Sequence, residues 1–126
     1  RKPMASTRRI LSWYLRSPKD MDLADDRDQA YFLRGSADPV SIRLRARTAP
    51  TGQALIVDVL ADGVSMLDSR AQGTLPDGLS DHTSKAVSAM KAPVGAAVTL
   101  SLVQVGSKEP GRGVTVEMEI MEASPN

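Results

Sequence analysis

The sequence predicts an all-β fold, an antiparallel, jelly-roll-like β-sandwich of about seven or eight short strands. Three observations carry that expectation. Apolar and polar residues alternate with a period of two over 40–47 and again over 114–120, as in strands with one buried face. Turn-forming glycine, proline and aspartate clusters punctuate the chain about every 8–15 residues. No heptad pattern, internal repeat or low-complexity tract competes with them.

The first element is a strand near residues 8–15. Ile10-Leu11-Ser12-Trp13-Tyr14-Leu15 is apolar and rich in β-favouring aromatics, and Pro18 soon stops it. Around it lie Arg1, Lys2, Arg8, Arg9, Arg16 and Lys19, with no acidic partner before Asp20. Asp20, Asp22, Asp25, Asp26 and Asp28 then follow against the single Arg27, so a basic arm precedes an acidic loop. Residues 1–30 are set apart as this arm with its first strand, 31–122 as the sandwich, and 123–126 as a tail.

Tyr31-Phe32-Leu33-Arg34 is a second short strand, ended by Gly35-Ser36 and Asp38-Pro39. Trp13, Tyr14, Tyr31 and Phe32 are all the aromatics of the chain, and packing on each other is their expected role. In the next strand Val40, Ile42, Leu44 and Ala46 face inward, and Ser41, Arg43, Arg45 and Arg47 face water. Ala49-Pro50-Thr51-Gly52 is a turn, since proline presets φ and glycine accepts a positive one. Residues 55–60 form a strand, and Asp62-Gly63 is a hairpin signal before 64–67. Residues 73–78, with Pro76, read as a loop. Over 80–91 Ser80 suits a helix cap, yet the residues also alternate and strands flank the segment, which favours β. Residues 98–105 and 114–120 are the last strands, the second with Val114, Val116, Met118 and Ile120 inward, and 106–113 joins them as a hairpin loop.

At 126 residues the chain is one domain, long enough to bury roughly two thirds of its unfolded surface. Cysteine is absent, which excludes thiolate catalysis, cysteine zinc sites and iron–sulfur clusters. Sixteen Lys and Arg against fifteen Asp and Glu give a net charge of +1, which argues against a general polyanion binder, and no nucleic-acid partner is expected. No apolar run approaches the ~20 residues that span a bilayer, so no membrane insertion is expected.

Catalytic constellations find little support. Tested as an EF-hand from Asp20, the acidic loop fails, with Ala24 at the fifth position, Asp25 where glycine makes the turn, and Tyr31 at the twelfth. His82 stands between Asp81 and Thr83 near Ser80 and Ser84, but adjacency in sequence is not triad geometry, and no Gly-x-Ser-x-Gly elbow exists. The glycines of 106–113 are only superficially similar to a phosphate loop, because Arg112-Gly113 and a strand follow. Glu117 and Glu119 share a strand face roughly 7 Å apart, on a wet surface without the burial that separates carboxylate pKa values. No catalytic residue, cofactor or metal is expected. The Arg43, Arg45 and Arg47 row is the most distinctive surface feature, suited to a partner's carboxylates or to keeping sheets from pairing.

The order 47–52 (Arg-Thr-Ala-Pro-Thr-Gly), Leu55-Ile56-Val57-Asp58-Val59 and the Asp62-Gly63-Val64-Ser65 turn resembles a β-sandwich module of tailed-bacteriophage virion proteins. Val103-Gln104-Val105-Gly106-Ser107, then Pro110-Gly111 and Gly113-Val114-Thr115-Val116, resembles that module's last hairpin, so the likeness covers about 34–121. It implies a structural or accessory virion protein of the tail-fibre, baseplate, neck or head-decoration type. Its partners are then other virion proteins and further copies of itself, with a trimer as the expected oligomer. The expected assembly interface combines Arg8, Arg9 and the aspartates Asp20, Asp22, Asp25, Asp26 and Asp28 with Trp13 and Tyr14 as apolar anchors. Arg43, Arg45 and Arg47 are a second partner-facing row. The alternative class is a carbohydrate- or receptor-binding module at the host cell surface, with a host glycan stacked on Trp13, Tyr14 or Tyr31.

Overall fold

A computed structural model of the chain describes residues 6–20, 30–69, 73–87 and 90–124. Among these residues the strands are β1 (Ser6–Leu15), β2 (Tyr31–Phe32), β3 (Ala37–Thr48), β4 (Leu55–Ala61), β5 (Val64–Ser65), β6 (Thr74–Leu75), β7 (Asp81–Lys85), β8 (Ala97–Gln104) and β9 (Arg112–Ala123). A 3-10 turn, Pro18–Asp20, follows β1. One sheet has the order β1-β9-β3-β7 and the other β2-β8-β4-β5, with β6 added along β4.

The pairing is nested. β1 pairs with β9, β2 with β8, β3 with β7 and β4 with β5, all antiparallel. This is a long hairpin wound up on itself, and the contacts β9·β3 and β8·β4 join its turns into two sheets. The jelly-roll expectation therefore holds. Strand alternation fills the space between the sheets. Leu11, Trp13 and Leu15 of β1, Ile42 and Leu44 of β3, and Val114, Val116, Met118 and Ile120 of β9 meet Leu55, Val57 and Val59 of β4 and Val98 and Leu100 of β8.

Asp62-Gly63 forms the β4–β5 hairpin, with φ of 49° and 82°. Two successive positive φ values are what a two-residue turn of the right twist demands, and Asp-Gly supplies them at low cost. Asp58, buried in β4, accepts a 2.8 Å hydrogen bond from the Ser65 hydroxyl and so fastens β5.

The structure corrects several expectations. Residues 105–111 are not a hairpin loop, because β8 and β9 lie in different sheets. Turn chemistry signals a chain reversal, and it is silent on whether the chain returns to the same sheet or crosses the ~10 Å between two. Asp38-Pro39 does not end an element but lies within β3, at a register shift between Pro39 and Ser41 where the missing N–H is tolerated. Within 73–78, Thr74–Leu75 is a short strand on β4. Residues 81–85 are β, as favoured, and His82 lies on this edge strand opposite Leu44.

The arm is not separate from the sandwich. β1 is hydrogen-bonded along β9 from Ser6 to Leu15 and contributes three fully buried side chains. Among the described residues the sandwich thus runs from Ser6 to Ala123. The aromatics divide by strand parity: Trp13 and Tyr31 pack edge to face with centroids 5.4 Å apart, while their neighbours Tyr14 and Phe32 point outward and are exposed.

Candidate functional site

The outer face of the first sheet carries the predicted arginine row, and the register decides what each arginine meets. Arg43 lies opposite Thr83 on β7 and reaches the carboxylate two residues along, Asp81, in a bidentate contact of 2.9 and 2.6 Å. Arg45 lies opposite Thr115 on β9 and reaches Glu117 at 2.7 Å. Arg8, opposite Met121, reaches Glu119 at 3.0 Å. Each is a diagonal cross-strand pair. The Arg43 hydrogen bond holds the Asp81 carboxyl below its usual range, and Asp81 in turn raises the Arg43 guanidinium. Two of the three arginines in the row are thus neutralised within the sheet. Glu117 and Glu119 stand on this outward face as anticipated, each with its own arginine.

Arg9 is different. Its side chain follows the inward parity of β1 and closes the rim of the sandwich, 5.8 Å from the Tyr31 ring centroid and 3.3 Å from Glu122. Glu122 also accepts the backbone N–H groups of Arg34 at 2.8 Å and Gly35 at 3.5 Å. Burial by itself pushes the Glu122 carboxyl up, but these N–H groups and the Arg9 guanidinium outweigh it and hold it below its ordinary value. Glu122 was absent from the sequence reading. Its signal was there, since it continues the inward register of Val114, Val116, Met118 and Ile120 with a charge.

Tyr31 also fastens the two sheets at their shared flank. Its hydroxyl donates to the Ser12 carbonyl at 2.7 Å and accepts the Ser12 N–H at 3.3 Å, across the open edge of β1. Trp13, expected as an assembly anchor or sugar platform, is 1% exposed and belongs to the core. Tyr14 is available on the surface. Asp20 closes the 3-10 turn, where its N–H donates to the Ser17 carbonyl at 2.9 Å. Asp22, Asp25, Asp26 and Asp28 lie outside the described residues. The structure thus leaves Arg8 and Tyr14 on the outside of β1 and takes Arg9 and Trp13 inside.

No protein-family model matches the chain, and no curated protein matches it. Among the described residues no group of three His, Asp or Glu side chains is placed to hold a metal ion. Two open concavities adjoin at the end of the sandwich where β1 and β3 finish and β9 starts. One, of about 540 Å³, lies between the 105–112 connection and Ser17, Lys19 and Asp20. The other, of about 460 Å³, is lined by Tyr14, Arg16, Ser17, Arg47, Thr48 and Arg112. Sequence reasoning placed only Arg47 in a site and missed Arg16 and Arg112, because their meeting depends on the strand order.

Proposed function

We propose that this protein is a structural or accessory component of a tailed-bacteriophage virion, acting by assembly and surface display rather than by catalysis. The observation that supports this reading is the flank where the edge of β1 meets the edge of β2. There Tyr31 locks the two sheets together, while Ile10 and Tyr14 stand out of the outer face of the first sheet and Phe32 out of that of the second. Phe32 is 67% exposed, and Val94, in the turn that bonds Leu33, is 69% exposed. Large apolar side chains around a rigid, fastened edge, with the exposed Arg8 beside them, have the composition of an interface core. The jelly-roll winding is shared by viral capsid and lectin domains, an analogy of fold that is compatible with the proposal.

Light scattering during gel filtration, at two protein and two salt concentrations, tests the proposal. A homo-oligomer, with a trimer as the expected order, supports it, and Ile10→Asp together with Phe32→Asp should return the protein to monomers. A wild-type monomer under every condition, or an oligomer indifferent to both substitutions, overturns this assignment of the interface.

A further inference from the structure

The geometry points to a binding site for an acidic saccharide, one bearing a carboxylate or sulfate, in the concavity lined by Arg16, Arg47 and Arg112. This goes beyond assembly and uses an adjoining surface, which shares Tyr14 with the proposed interface. Charge is the first argument. Arg8, Arg9, Arg43 and Arg45 each hold a carboxylate within 4.0 Å, whereas among the described residues Arg16 and Arg47 hold none. Arg112 has one contact, from its Nε to Glu109 at 3.4 Å, and its remaining guanidinium donors are left over. Three arginines line one concavity, with no carboxylate among the described residues of its lining, and their charges create a local field that favours an oxyanion.

Construction is the second argument. The three arginines come from positions distant in sequence and are placed by backbone. Arg16 is fixed just beyond β1, where its carbonyl accepts the Gly113 N–H at 3.0 Å. Thr48 and Arg112 are paired across β3 and β9. Gly113 has φ of 59°, and a Cβ there would meet the Arg47 Cγ and Cδ atoms at 2.9 Å. The absent side chain is therefore the room in which the stem of Arg47 lies flat over β9, a placement that sets its guanidinium beforehand.

Shape selects the ligand class. About 460 Å³ is in the range of small-ligand sites and accommodates one or two sugar rings. Ser17 and Thr48 supply hydroxyls, and Tyr14 a half-exposed ring with a phenol, which suit the hydroxyls and apolar face of a pyranose. A nucleic-acid strand would call for a track of charge spaced along its phosphates, and this cluster is confined to one lobe.

Calorimetric titration of the full chain with a sulfated heparin disaccharide, digalacturonic acid, cellobiose, inorganic sulfate and a short oligothymidylate tests the site. The expected result is saturable binding of at least one acidic disaccharide, weakened by salt, with cellobiose and inorganic sulfate at least tenfold weaker. Arg47→Ala and Arg112→Ala should each weaken it about tenfold, Arg47→Lys less, and Arg45→Ala not at all. Circular dichroism of each variant verifies the fold, and Arg47→Lys keeps the test open if an alanine variant does not fold. Failure of both acidic disaccharides to bind, equal binding of cellobiose, or indifference to Arg47 and Arg112 overturns the proposal. Sulfate binding as tightly as the disaccharides would reduce the site to an anion site, and tighter oligothymidylate binding would assign it to nucleic acid; either overturns the saccharide reading.

Discussion

Glu122 does more for this fold than its place near the chain end suggests. One carboxylate receives two backbone N–H groups from the 34–35 turn and a guanidinium from β1, and so ties three segments together at the rim of the sandwich. Replacing it by alanine should cost about 2 kcal/mol in urea unfolding, because partly buried donors lose a charged acceptor. Its depressed pKa also sets a pH dependence. A carboxyl that is more acidic folded than unfolded stabilises fully above its unfolded value, near 4.5, and loses that contribution as pH falls through the folded value. Unfolding free energy should therefore be level from about pH 7 to 5 and decline below about 4.5, and Glu122→Gln should flatten part of that decline. Trp13, the sole tryptophan and fully packed, is the fluorescence probe for both measurements.

At the scale of elements, the turns were the most legible features and the crossings the least. Asp62-Gly63 announced its hairpin because only a few residue types accept two positive φ values in succession. Gly63→Ala should accordingly cost about 1 kcal/mol, read as a lower urea midpoint, through backbone strain alone, since nothing else lies within 4 Å of the added Cβ. The alternation over 114–120 placed four inward residues correctly, and all four are fully buried. By contrast, the 106–113 segment has the composition of a hairpin and behaves as an arch between sheets. Two of its backbone bonds go to Thr51, which donates to the Glu109 carbonyl at 2.9 Å and accepts from Lys108 at 3.0 Å. Pro39 misled for a related reason, since the register shift at Pro39 itself removes the hydrogen bond that proline cannot make.

At the scale of the whole molecule, the first strand and the last are partners. Deleting residues 1–17 should unfold the domain, because it removes Leu11, Trp13 and Leu15 from the core and uncovers the β9 edge. A folded truncated chain, judged by a cooperative melting transition, would contradict the pairing. The nested winding also makes nearly every sheet contact non-local, so the domain should fold slowly for its size, on the millisecond-to-second scale.

Taken alone, the sequence determined the fold class, most strand positions and which side of each strand is apolar. Those follow from a two-residue period and from the φ restrictions of glycine and proline, which are local properties. It also placed the arginine row, though not what neutralises it. Tertiary structure decided which strands are neighbours, and with that every feature of the surface chemistry. Arg43 and Arg45 are quenched by carboxylates that pairing brings alongside, Trp13 is lost to the core, and Arg16, Arg47 and Arg112 meet only because β1, β9 and β3 are adjacent. Neighbourhood across strands far apart in the chain leaves no periodic trace in sequence, and ion pairing and concavities depend on nothing else.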